Sequence, residues 1–106
     1  MSTYKAVFSD IDGTLLTSEH IVSTATIEAI ASLQDKNIPF VIISSRSASC
    51  IYPILEKHHF QCPIVACGGA WIEDMNGRIL SNEGMSKQTA ATVIEFMTEK
   101  KFDLAW

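Results

Sequence analysis

The chain has no long hydrophobic run and no cluster of positive charge. Its longest apolar stretches, such as residues 40–43 (FVII), fall far short of the roughly 20 residues a membrane-spanning helix needs. Eight Lys and Arg stand against twelve Asp and Glu, for a net charge of −4. None of the basic residues gathers into a patch, so neither nucleic acid nor an anionic membrane is expected as the main partner. Cysteine is scarce. Cys50, Cys62 and Cys67 are odd in number and form no Cys-x-x-Cys pair, which points to a reducing, cytoplasmic setting. His58 and His59 lie near Cys62 and Cys67, but adjacent histidines and a four-residue gap between the cysteines do not match zinc spacings. Solvated helix-end histidines and small semi-buried thiols are the simpler reading. Repeats, low-complexity tracts and linkers are missing as well. Tyr4 and Lys5 lead at once into a strand-like segment, so no signal peptide is expected.

What is present fits one small domain: 106 residues, 47% of them hydrophobic, enough for a real core. Residues 5–8 (KAVF) read as a first strand. Ser23 can cap a helix to about Lys36, with Ile27, Ile30, Ala31 and Gln34 at helical spacing, and Asn37 suits its end. Residues 40–43 read as a strand buried on both faces, as in a parallel sheet. A helix over about 47–59 contains Pro53, where it either kinks or begins its regular part. Residues 63–67 form a third strand. The order β-α-β-α-β predicts a Rossmann-like, doubly wound parallel α/β layer with right-handed crossovers.

After Gly68 and Gly69 the pattern changes. Residues 70–73 and 78–81 flank Asp74-Met75-Asn76-Gly77, whose Asn-Gly predicts a β-hairpin. Ser86 then caps a helix to about Lys101, with Ala90, Val93, Ile94 and Met97 on one face, most simply as core packing. Phe102, Leu104 and Trp106 alternate as a new strand would. The expected division is a core with hairpin over 1–81 and the start of an α+β cap over 82–106.

The chemistry sits in residues 8–16, FSDIDGTLL. In a doubly wound sheet, ligands bind beyond the carboxyl ends of the strands. Asp10 and Asp12 stand at such an end, and period-2 alternation aims both toward one space. Two carboxylates this close repel, so a cation or a shared proton is expected between them. Hard oxygen donors at this density suit Mg²⁺, which takes few carboxylates and keeps waters for a substrate phosphate. Gly13 lets the chain turn tightly and brings backbone N–H groups near an anion, and Thr14 adds a hydroxyl. With the charge screened, one carboxylate can attack phosphorus while the other protonates the leaving alkoxide and then activates water. The plain alternative is a capped strand end with solvated carboxylates, since short motifs match by chance. An EF-hand is a poor fit, because Leu15 stands where the loop needs Gly and Ile21 where it needs Glu. A glycosyltransferase-type Asp-x-Asp stays open, although it usually lies later in a larger chain.

The same nine residues resemble the first motif of the haloacid dehalogenase-like superfamily. The resemblance implies that Asp10 is the nucleophile and Asp12 the acid/base, with the Asp12 carbonyl on Mg²⁺ and Ile11, Gly13 and Thr14 in the phosphate-binding loop. Aspartate at the second position resembles the phosphatase and phosphomutase branches rather than the ion-pumping ATPases. Residues 41–46 (VIISSR) resemble the strand ending in Thr-Gly-Arg of the Cof-type, capped sugar-phosphatase-like branch. Ser44 would then hold the transferring phosphoryl group and Ser45 would add a backbone donor. Ser45 departs from the usual glycine, which predicts crowding or tilting there. Arg46 would hold a phosphate or a cap-domain acid. Residues 64–72 (IVACGGAWI) resemble the same branch's strand ending in Asn-Gly-Ala, followed by a hairpin. Gly68 replaces the asparagine, so that side-chain contact is lost; Gly68 and Gly69 remain on the substrate side, and Trp71 covers the sheet edge.

The resemblance implies Mg²⁺-dependent hydrolysis of a phosphate monoester, the substrate being a small phosphorylated metabolite. The same residues allow a phosphomutase, and a non-catalytic interaction piece is the rival from another class. The family's third motif supplies a lysine and its fourth supplies further acids. Nothing after Trp71 resembles either, and Lys87, Lys100 and Lys101 read as solvated charges. The chain therefore reads as the amino-terminal part of such an enzyme. Its first strand is expected at a bare sheet edge, with weak Mg²⁺ binding and self-association through that strand or the partial cap.

Overall fold

The computed structural model describes residues 4–100. Strands β1 (Val7–Ser9), β2 (Phe40–Ile43), β3 (Ile64–Ala66), β4 (Trp71–Glu73) and β5 (Ile79–Asn82) form one sheet in that spatial order. The first three are parallel, with Val7 beside Phe40 and Ile42 beside Ile64. β4 and β5 continue the sheet antiparallel, so the expected α/β layer carries its hairpin as an extension beyond β3. β1 lies at the free edge among the described residues, as the strand order predicts.

Helices α1 (Thr24–Asp35) and α2 (Ala48–Lys57) make the two crossovers. Ser23 caps α1 through its Oγ, which accepts from the Thr26 N–H at 3.2 Å. The helix ends at Lys36, and Asn37 follows in the left-handed region at φ 57°. α2 runs through Pro53 instead of starting there, giving up the bond a proline nitrogen cannot donate. Ile30 and Ile51 enter one core with Phe40, Ile42, Ile64 and Ala66, and Val7, Ile27, Ile54 and Leu55 pack against it. Both helices thus cover the same face of the sheet. On the other face Phe8 is 60% and Ile43 40% exposed.

The hairpin turn differs in detail from a two-residue Asn-Gly loop. Only Gly77 has a positive φ, at 81°, while the Asp74 carboxylate accepts from the N–H groups of Asn76 and Arg78, each at 2.9 Å. This is a type I turn followed by a left-handed glycine, with the register shifting between Ile72 and Glu73.

Helix α3 (Lys87–Glu99) forms with the predicted cap, Ser86 Oγ accepting from Thr89 N–H at 3.1 Å. Its apolar stripe does not enter the core. Ala90, Ile94 and Met97 are half-buried, Val93 is exposed, and no residue of the helix is buried. The radius of gyration reflects this, at 16.6 Å against about 13 Å for a compact chain of this length. The strand expected from Phe102, Leu104 and Trp106 lies outside the described residues.

Candidate active site

β1 and β2 both end at the same edge of the layer, and the residues that follow them define the site. Asp10 comes directly after Ser9, and Ser44 directly after Ile43. Parallel pairing of Ser9 with Ile42 brings these two ends side by side. With Ser45 and Gly68 they line a shallow depression of about 520 Å³, bordered by Phe8, Ser9 and Ile43. Three separate stretches of sequence therefore meet at one place.

The turn after Asp10 is tight. Residues Ile11–Leu15 are closed by a bond from the Leu16 N–H to the Ile11 carbonyl at 3.1 Å. Gly13 takes φ 76°, which a side chain would resist. Ile11 and Leu15 anchor the turn by burying their side chains in the core. The Ile11 N–H donates to Asp10 Oδ1 at 2.8 Å, which orients the carboxylate. Ser9 Oγ donates to the Asp10 carbonyl at 2.8 Å.

Ser44 is buried and held from three sides. Its N–H donates to the Val65 carbonyl at 2.8 Å, its carbonyl accepts from Gly68 N–H at 3.0 Å, and its Oγ accepts from Arg46 N–H at 3.0 Å. Accepting at Oγ leaves the hydroxyl proton to donate toward the depression. Ser45 is absent from the residues with positive φ, so its side chain brings none of the strain that replacing a glycine suggested.

Asp12 stands apart from Asp10 in its bonding. Arg46 grips it with both arms of the guanidinium, Nε to Oδ2 at 2.9 Å and Nη2 to Oδ1 at 2.6 Å. These hydrogen bonds hold the Asp12 carboxyl below its ordinary value and push Arg46 up, so Asp12 is ionised at neutral pH. The pair is solvent-exposed, which weakens it energetically but not geometrically. Ile11, Asp12, Gly13, Thr14, Arg46 and Gly69 do not line the depression; Thr14 is exposed and Gly69, at φ 107°, turns the chain into β4.

The donor set is compatible with Mg²⁺. Asp10 has one carboxylate oxygen without a hydrogen bond among the described residues, and the second oxygen that the family resemblance implies is the carbonyl of Asp12, two residues on. The Asp12 carboxylate is committed to Arg46, and no three acidic, histidine or cysteine side chains among the described residues gather into a metal site. Two protein oxygens match an ion that keeps most of its waters.

Sequence reasoning passed over one buried acid. Glu73 is 3% exposed, and its Oε2 accepts from the Tyr52 hydroxyl and from Trp71 Nε1, the latter at 2.7 Å. Trp71 is therefore tied to a carboxylate rather than simply covering an edge. The available signal was strand alternation, which puts Trp71 and Glu73 on the same face as Ala66 and Ile64. His58 was also misread as solvated. It is half-buried, accepts from the Val22 N–H at Nε2 (3.3 Å), and is held below its ordinary pKa by burial and then by Lys57 and His59.

Comparison with known proteins agrees with this architecture. The haloacid dehalogenase-like hydrolase family matches residues 7–106. A Haemophilus influenzae protein carrying a phosphatase name is 47% identical over 73 residues, which is 69% of this chain and 28% of that protein. The pyridoxal phosphate phosphatase YbhA of Escherichia coli is 26% identical over 98 residues, covering 92% of this chain and 36% of that one. Among solved structures, a haloacid dehalogenase-like hydrolase from B. subtilis superposes with a TM-score of 0.86 at 28% identity, covering 92% of this chain and 34% of that one. The chain thus spans about a third of the length of these relatives.

Proposed function

The chain belongs to the haloacid dehalogenase-like hydrolases, and on that footing we propose that it carries the nucleophile and phosphate cradle of a Mg²⁺-dependent phosphate monoester hydrolase. The observation that carries the reading is the meeting of Asp10, Ser44 and Gly68 around one depression at the strand ends. Asp10 attacks phosphorus through a carboxylate oxygen, the bond to the leaving oxygen breaks, and an aspartyl-phosphate forms. Ser44 donates its hydroxyl to a phosphoryl oxygen. Asp12 protonates the leaving alkoxide and then takes a proton from the water that hydrolyses the aspartyl-phosphate. The Asp10 carboxylate and the Asp12 carbonyl would hold a Mg²⁺ ion, which would supply charge neutralisation when bound.

Arg46 bears on the first of these proton transfers. While its fork holds Asp12 ionised, Asp12 is in the base form needed for the second half of the reaction. A substrate phosphate or a cap acid that draws Arg46 away frees Asp12 to carry the proton for the first half. The substrate class consistent with the relatives' names is a small phosphorylated metabolite, as YbhA's name gives pyridoxal phosphate for that protein. α3, which leaves the sheet after β5, is read as the start of a cap.

A second reading is a non-catalytic interaction piece, favoured by the free β1 edge and the exposed Phe8 and Ile43 beside it. Such an edge pairs readily with another strand, so self-association is expected; a monomer by light scattering at about 50 μM would argue against it.

The deciding experiment is binding of fluoroberyllate, a phosphoryl mimic that adds to nucleophilic aspartates, followed by ¹⁹F NMR with Mg²⁺ and with chelator. A Mg²⁺-dependent adduct absent in Asp10→Asn supports the nucleophile assignment. A folded chain that forms no adduct favours the non-catalytic reading. Aryl phosphate turnover by the same sample, lost in Asp10→Asn, supports hydrolysis through Asp10.

A further inference from the structure

A second hollow, of about 850 Å³ and roomier than the depression beside Asp10, opens between α1, α2 and the hairpin turn. Glu73 in its wall pairs with Ile64, the first residue of β3, whereas Asp10 and Ser44 follow the last residues of their strands. The hollow therefore lies at the amino ends of the parallel strands, opposite the phosphoryl site.

Its surface combines two features. Ile27 and Ile30 of α1, Leu55 of α2 and Phe60 supply apolar area. Glu73 supplies a carboxylate almost wholly removed from water, and both of its hydrogen-bond donors, Tyr52 and Trp71, are neutral and share Oε2. Oε1 has no hydrogen bond among the described residues. It faces Gly77, where a side chain's first carbon would sit 3.8 Å away; with glycine there, nothing fills that space. A carboxylate held out of water without a counter-charge is unfavourable, and a cationic donor at the open oxygen removes that penalty. Among the described residues no lysine or arginine lines the hollow. The other acids among the described lining residues are Glu56 and Asp74, the latter engaged by the turn's N–H groups.

We propose that this hollow binds a small organic cation, a primary ammonium or guanidinium seated on Glu73 Oε1 with an apolar body against Ile27, Ile30 and Leu55. Its volume falls in the usual range for small-molecule sites, about 300–1,000 Å³. The proposal is independent of phosphoryl transfer, because none of these residues belongs to the phosphoryl site.

The test titrates the full chain with phenethylammonium and, separately, with its neutral analogue 2-phenylethanol. The indole ¹⁵N–¹H signal of Trp71, bonded to the same carboxylate, is the reporter. A saturable shift with the ammonium compound, at roughly ten- to hundredfold higher affinity than with the alcohol, is expected. Glu73→Gln keeps an oxygen to accept both donors and should reduce ammonium affinity to that of the alcohol. Equal affinity for the two compounds overturns the proposal. So does the lack of a saturable ammonium shift up to about 10 mM, or unchanged ammonium affinity in folded Glu73→Gln. The comparison of compounds on the unaltered chain decides the matter even where Glu73→Gln does not fold.

Discussion

Two amphipathic helices in this chain meet opposite fates. α2 has the weaker local credentials: Pro53 sits inside it and Ser47 makes no side-chain cap bond, yet Ile51 is fully buried in the core. α3 has a bonded serine cap and no proline, yet Val93, on its apolar stripe, is 39% exposed. Capping and propensity govern whether a helix forms, at about 1 kcal/mol per feature. Burial of a stripe needs a surface at the right distance, and for α2 that surface is the sheet. A stripe states that a face suits a partner; it does not state where the partner is.

The contrast breaks most sharply on core truncation. Ile51→Ala should destabilise the chain by about 2–5 kcal/mol in urea unfolding, while Val93→Ala should stay within about 0.5 kcal/mol. Comparable losses at both positions would mean that α3 shares the core of α2. The hairpin lies between these extremes, because Tyr52 on α2 binds Glu73 on β4. Tyr52→Phe should cost about 1.5 kcal/mol, the low end for a bond to a charged acceptor, since Tyr52 is partly exposed. The same bond raises the Tyr52 phenol from 10.0 to about 12, through the hydrogen bond first and burial second. Its stabilisation is thus complete below pH 10 and lost as pH rises through about 12, checked by absorbance titration of the phenolate.

Caps sharpen the comparison at smaller scale. Ser23→Ala should lower global stability by about 1 kcal/mol, whereas Ser86→Ala should only speed amide exchange in the first turn of α3. Equal global losses would tie α3 to the cooperative unit. The smallest effect concerns His58, which burial holds below 6.5. A depressed histidine favours folding above its unfolded value, and that contribution is lost as pH falls through 6.5 toward the lower folded value. His58→Gln should flatten stability over that interval, measured by urea midpoints at a series of pH values.

Much of the fold was legible because it is written in neighbours along the chain. Apolar runs of strand length at residues 40–43 and 64–66, and serines three residues before a helical N–H, specify local structure with no knowledge of the rest. Asp10 and Ser44 were legible for the same reason, since each follows an apolar strand directly. Asp12 with Arg46 lie 34 residues apart and Tyr52 with Glu73 lie 21 apart. Neither pairing has a local pattern; strand order and register create both. The use of the Ile11 N–H by Asp10 has no local pattern either; it follows from the backbone path of one tight turn.

The amino-acid sequence by itself determined the elements, their order, the glycine-bearing turns and the residue types at the strand ends, because hydrogen-bond caps and hydrophobic period act between near neighbours. Only the tertiary structure decided which apolar stripe is buried, which carboxylate is held by arginine and which is enclosed with no counter-charge among the described residues. Those outcomes depend on distances across the sheet, and such distances exist only once strands from remote parts of the chain lie side by side.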